Sequence, residues 1–181
     1  MTVEPTAPGL FDVIADAAAS ESPLWAEALR PAAEQERVAV FSPLVRDDRF
    51  LLGVETIYEG YLVHFGRPRL FALSDRDTAL LLGDYLFAHG LVRIAATGSV
   101  DAVSDLAELI SLCAQARADR LPGDAAVWTA TCSLLGRGAL DGAREALRRD
   151  RDVRPLDAAA RAASGDEAVD RALALHQGRV V

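Results

Sequence analysis

Residues 79–90 read Ala79-Leu80-Leu81-Leu82-Gly83-Asp84-Tyr85-Leu86-Phe87-Ala88-His89-Gly90. The apolar positions keep a helical period but cover almost every face of the helix, which is the pattern of an element buried in a core or an interface. Upstream, Ser74 and Asp77 have the spacing of an N-cap followed by an acidic third position. Downstream, Gly98-Ser99 ends the pattern, so the predicted helix spans residues 75–97. Ala79, Gly83 and Gly90 fall on one narrow face. A glycine inside a helix costs about 1 kcal/mol relative to alanine, so close approach of a second helix is the expected compensation. From this helix we expect an association element, with Leu82, Gly83, Leu86, Phe87 and Gly90 at a subunit contact. Its polar residues Asp84, His89 and Arg93 are expected to form a structural hydrogen-bond network, because buried polar groups need partners.

The same period runs through the rest of the chain. Ser22-Pro23 reads as an N-cap with proline at the first helical position. A short helix is predicted over 32–40 and a longer one over 48–64, ended by Gly66-Arg67-Pro68. Further helices are predicted near 99–113, 124–135 and 140–149, then two alanine-rich helices split by Gly165. The expected organisation is a loose tail over 1–8, one helical domain over 9–175, and a fraying C-terminal tail over 176–181.

Composition agrees with this all-α, single-domain bundle. Of 181 residues, 34 are alanine and 25 leucine, and aromatics make up 6%. Alanine and leucine lose little on entering a helix. The net charge of −8 argues against a nucleic-acid partner, because phosphate backbones are repelled. All 19 basic residues are arginine. Cys113 and Cys132 have no metal-ligand spacing and are too few for a disulfide framework. No signal-like or membrane-spanning segment is read, so a cytoplasmic setting is expected.

The chemistry-bearing positions are few. Gly136-Arg137-Gly138 with Gly142 has the look of a phosphate loop, but a helical pattern rather than a strand precedes it, so a helix–helix turn is expected. Asp47-Asp48 reads as the acidic start of a helix. Glu55 and Glu59 are spaced i, i+4 and share one helix face. Paired carboxylates at that spacing bind a divalent cation or do acid–base work, or else form a solvated face. Glu55, Glu59, His64 and Arg67 are the ligand-binding candidates. No catalytic constellation and no metal site are readable beyond them.

Leu80 to Ala88 resembles a segment of the trans-isoprenyl diphosphate synthases, the polyprenyl synthetase family, in which an Ala/Leu-rich run leads into Gly-Asp and a further apolar stretch. Tyr61-Leu62-Val63-His64 is similar to the Leu-Ile-His that precedes that family's first Asp-rich motif. The likeness extends over roughly 24–135. Where the family places its Mg²⁺-binding acids, this chain has Phe65-Gly66-Arg67. Neither Asp-rich motif is present. The position similar to the family's Lys-Thr-Ala reads Trp128-Thr129-Ala130, and the chain has no lysine. The resemblance therefore implies a catalytically silent relative. It would act as a homodimer, or as a heterodimer with a catalytic polyprenyl diphosphate synthase subunit in isoprenoid biosynthesis. Two alternatives stand beside it: a non-catalytic binder of an apolar isoprenoid, and a prenyltransferase with Mg²⁺ ligands relocated to Glu55 and Glu59. No cofactor is expected except Mg²⁺ in that last case.

Overall fold

In the computed structural model, which describes residues 9–121 and 123–180, one helix is enclosed by the others. Among these residues the order is α1 (Leu10–Glu21), α2 (Pro23–Ala28), α3 (Leu51–Phe65), α4 (Arg76–Ala95), α5 (Val100–Ala118), α6 (Asp124–Leu134), α7 (Asp141–Asp150), α8 (Arg154–Ser164) and α9 (Asp166–Gln177). None of them lies in a strand; their only β-type contacts are the isolated bridges Leu29–Phe71 and Gly66–Val180. The all-α reading holds. The expected tail over 1–8 lies outside the described residues.

Helix ends follow local chemistry. Ser22 Oγ accepts from Leu24 N at 3.2 Å and Pro23 opens α2. Asp75, rather than Ser74, caps α4, accepting from Thr78 N at 2.8 Å. Ser99 caps α5, and Gly165, with φ of 82°, separates α8 from α9. The segment expected as a helix over 32–40 forms a single 3-10 turn at Ala32–Glu34. It then runs extended, because it ties to the strap over 66–73 through Glu36 N donating to Arg69 O.

The enclosed helix is α3, where eleven consecutive residues from Gly53 to Val63 are buried. α4 packs along it in antiparallel fashion through two glycine pairs. A Cβ on Gly60 would lie 3.0 Å from Gly83 O, and a Cβ on Gly90 would lie 3.0 Å from Gly53 O. This is the close approach read from Gly83 and Gly90. It also corrects the interface reading. Leu82, Gly83, Leu86 and Gly90 are buried inside this chain against α3 and the α1–α2 side, and Phe87 is half-buried. The all-round apolar pattern suggests no inner face, yet α4 has one. Its outer face leaves Leu81 59% and Val92 64% exposed. α4 is also long and apolar enough by length and composition to cross a membrane, with 28% of its most apolar window buried.

The larger cluster of buried apolar residues joins α3 to α5, α6, α8 and α9, with Phe41, Tyr58, Leu106 and Trp128 at its middle. A smaller cluster lies between α1, α2, α4 and the strap, around Ile14, Trp25, Phe71 and Leu86. The C-terminal residues up to Val180 are held rather than frayed. His176 and Arg179 are buried, and Val180 bridges to Gly66.

Candidate functional site

The i, i+4 spacing on α3 brings Glu55 and Glu59 together, as read from the sequence, but onto a face with no solvent. Both are fully buried, and so is Arg69 between them. Gly66-Arg67-Pro68 ends α3 and sends the chain back as an extended strap, which places Arg69 inside. Its Nη1 donates to Glu55 Oε2 at 2.6 Å and to Val38 O at 2.9 Å. Its Nε donates to Glu59 Oε2 at 2.8 Å. Glu59 Oε1 accepts the backbone N–H groups of Arg69 and Leu70, both at 2.8 Å. The rings of Phe11 and Tyr58 cover the guanidinium, each with its centroid 4.9 Å away. Burial works against the Arg69 charge, but the two carboxylates outweigh it and raise the pKa. Within this triad, two formal negative charges face one positive one, and Glu55 Oε1 is left without a hydrogen bond among the described residues.

The other ligand candidates do not join this set. Arg67 is exposed on the far side of the turn, 3.8 Å from Glu36, while its backbone N–H donates to Arg179 O. His64 stacks on Phe87 and lies 3.2 Å from Asp84. Burial lowers the His64 pKa, with Asp84 opposing. The expected network of Asp84, His89 and Arg93 is not formed as one unit. Asp84 is 76% exposed and faces His64, whereas His89 stacks on Tyr85. On α4, His89 and Arg93 lie one turn apart on the same face, and Asp84 lies on another, so the three do not meet.

A second polar chain, missed in the sequence, starts at the next turn of α3. Tyr58 Oη lies 3.1 Å from His176 Nδ1. Tyr61 donates a short hydrogen bond to Asp124 and accepts from Arg117 Nη2 at 2.8 Å. Arg117 also pairs with Asp124 at 2.7 Å. Asp124 sits in the first turn of α6, where the helix dipole favours a negative charge. Burial pushes both phenols above their ordinary range. Burial pushes His176 down to about 4, with Asp124 opposing. Phe41 and Trp128 stack with centroids 5.2 Å apart, and Tyr58 meets both rings edge-on. Cys113 and Cys132 are buried free thiols, with burial raising both pKa values.

Chemically, the Glu55–Arg69–Glu59 set is a completed guanidinium site whose ligand belongs to the chain. It couples α3 to the strap and to the extended segment at Val38. Among the described residues, no group of three or more His, Cys, Asp or Glu side chains has the geometry of a metal site. Gly136-Arg137-Gly138 is a helix–helix turn, in which Gly136 N donates to Asp105 Oδ2 at 2.8 Å. In comparisons with known proteins, no family model, no curated protein and no solved structure matches the chain.

Proposed function

We propose that this chain is a helical subunit that acts by association, without prenyl-transfer chemistry of its own. The observation that carries the reading is the outer face of α4 and its continuation into α5. Among the described residues, six large hydrophobic side chains are exposed, and four of them, Leu80, Leu81, Val92 and Val100, lie there. Leu81 and Val92 lie three turns apart on one face of α4, and this apolar outer face is what we read as an interaction surface. The carboxylate pair supports the same reading. Glu55 and Glu59 are each bonded to Arg69, so a relocated Mg²⁺ site would first have to expel a buried arginine. The resemblance of Leu80–Ala88 to the polyprenyl synthetase family supplies the partner class, a catalytic polyprenyl diphosphate synthase subunit.

Light scattering of the purified chain, alone and mixed with a synthase encoded beside it, tests the proposal. The expected result is a complex that Leu81→Arg or Val92→Arg dissolves while far-UV circular dichroism stays unchanged. The chain alone is expected to form no product from allylic and isopentenyl diphosphates with Mg²⁺. A wild-type monomer at tens of micromolar that leaves the synthase unshifted, or Mg²⁺-dependent product lost on Glu55→Gln, overturns it.

A further inference from the structure

We infer that α9 and the residues up to Val180 form a proton-operated clasp, held shut over the aromatic centre by a neutral His176 and opened when that imidazole is protonated.

α9 is one of the shallowly buried helices of the larger cluster, as is α8, where only Leu156 and Ala160 are buried. Of the twelve residues of α9, only Val169, Ala172 and His176 are buried, while α3 buries eleven. Elements with few buried apolar anchors open locally at lower free energy than the core. Beyond α9 the fastening is largely polar. Arg179 Nη2 bonds Glu36 at 2.9 Å, Arg179 O accepts from Arg67 N at 2.8 Å, and Val180 bridges to Gly66. Of the three anchors of α9, His176 is the one that both lies in the aromatic centre and can change charge. Its ring packs at 5.2 Å from Phe41, 5.9 Å from Tyr58 and 5.7 Å from Tyr61.

The surroundings accept a neutral ring and resist a charged one. Nδ1 is satisfied by Tyr58 Oη. Nε2 has no hydrogen bond among the described residues, with Asp124 Oδ2 3.9 Å away. From α6, Asp124 is the facing carboxylate, but it already holds Tyr61 and Arg117. From α5, the Arg117 guanidinium repels a proton on the ring. From α3, Tyr58 and Tyr61 are neutral phenols, and Glu55 and Glu59 are engaged by Arg69. The segment before α3 presents Phe41. Towards α8, the charged contacts are the pairs of Arg161 with Asp166 and Asp170, and on α9 itself Arg171 pairs with Glu167. Arg179 is paired with Glu36. An imidazolium would therefore have only a shared carboxylate, opposed by the Arg117 guanidinium and enclosed by aromatic rings, which raises the cost of the closed state.

Opening returns the ring to water, where its ordinary value is about 6.5. Each pH unit below that favours the open state about tenfold until the closed ring itself titrates. What opens is the aromatic surface of Phe41, Tyr58, Tyr61 and Trp128, so the clasp makes exposure of that surface acid-dependent.

Hydrogen exchange of the whole chain at pH 7.5 and 5.0, corrected for intrinsic chemistry, reads the device. Peptides over 166–180 are expected to open about 30-fold more at pH 5.0, with peptides from α3 and α5 unchanged. His176→Phe keeps an aromatic ring without the proton and is expected to abolish the acceleration. Equal opening at both pH values overturns the inference, as does acceleration that persists in His176→Phe or one shared by α3. If that variant fails to fold, ring titration of wild-type His176 by NMR decides. An ordinary midpoint near 6.5 with α9 closed overturns the inference; a midpoint well below it supports the clasp.

Discussion

Gly53 and Gly90 hold the backbones of α3 and α4 in reciprocal contact: a Cβ on Gly53 would lie 3.1 Å from Gly90 O, and one on Gly90 would lie 3.0 Å from Gly53 O. Neither acceptor can swing away as a side chain would. Gly90→Ala would also drive its methyl into Ile57. The helix-propensity gain of about 1 kcal/mol is set against overpacking of about 1–3 kcal/mol, so Gly90→Ala should lower the melting temperature. Gly142 lies in α7, and a Cβ there would meet nothing within 4 Å among the described residues. Gly142→Ala should therefore move the melting temperature the other way. Two thermal melts check the sign of each.

Arg69→Ala should be among the most damaging single changes in the chain. Among the described residues it removes the only side-chain cation bonded to Glu55 and Glu59 in a fully buried set, and breaking such a pair costs about 3–5 kcal/mol. Because the rest of the guanidinium site remains, millimolar guanidinium should raise the melting temperature of Arg69→Ala while leaving wild type unmoved. Absence of any selective rescue would show that the site collapses when its arginine is gone.

Charge placed on the two faces of α4 should give opposite outcomes. Leu86 is 1% exposed, so Leu86→Arg buries an unpaired charge and should unfold the chain or drive it into aggregates. Leu81→Arg projects into solvent and should leave the stability measured by urea unfolding within about 0.5 kcal/mol of wild type. Equal damage from both would mean that α4 is enclosed on its outer side as well.

Alkaline titration separates the tyrosines. Burial raises Tyr58 and Tyr61 strongly and half-buried Tyr85 less. A phenol whose folded pKa is raised keeps its proton in the fold and loses it on unfolding. Its stabilising share is thus present below about pH 10 and is lost as pH rises past that value. Phenolate absorbance from Tyr58 and Tyr61 should appear together with the loss of helical circular dichroism, after that of Tyr85.

Much of this architecture can be read from the sequence because it is local. The caps at Ser22 and Ser99, the break at Gly165 and the small face at Gly83 and Gly90 depend on neighbours within a turn or two. What cannot be read depends on chain return. Glu55 and Glu59 share a face in any helix, but that the face is internal follows from the strap that brings Arg69 back ten and fourteen residues later. Such a position for an arginine runs against composition, since charged residues are rarely fully buried unless paired. In the sequence α3 looks less central than α4, because its polar residues mask its enclosure. The Tyr58–His176 contact joins positions 118 apart, and no periodicity reports that distance.

That long contact bears on how the chain is made. When residues emerge from the ribosome in order, α3 is complete long before α9 exists. Until residue 176 has left the exit tunnel, Tyr58 lacks its imidazole and the Phe41–Trp128 stack lacks one wall. The nascent chain thus passes through an interval in which its most aromatic surface is uncovered. That interval ends only with nearly the last turn of α9.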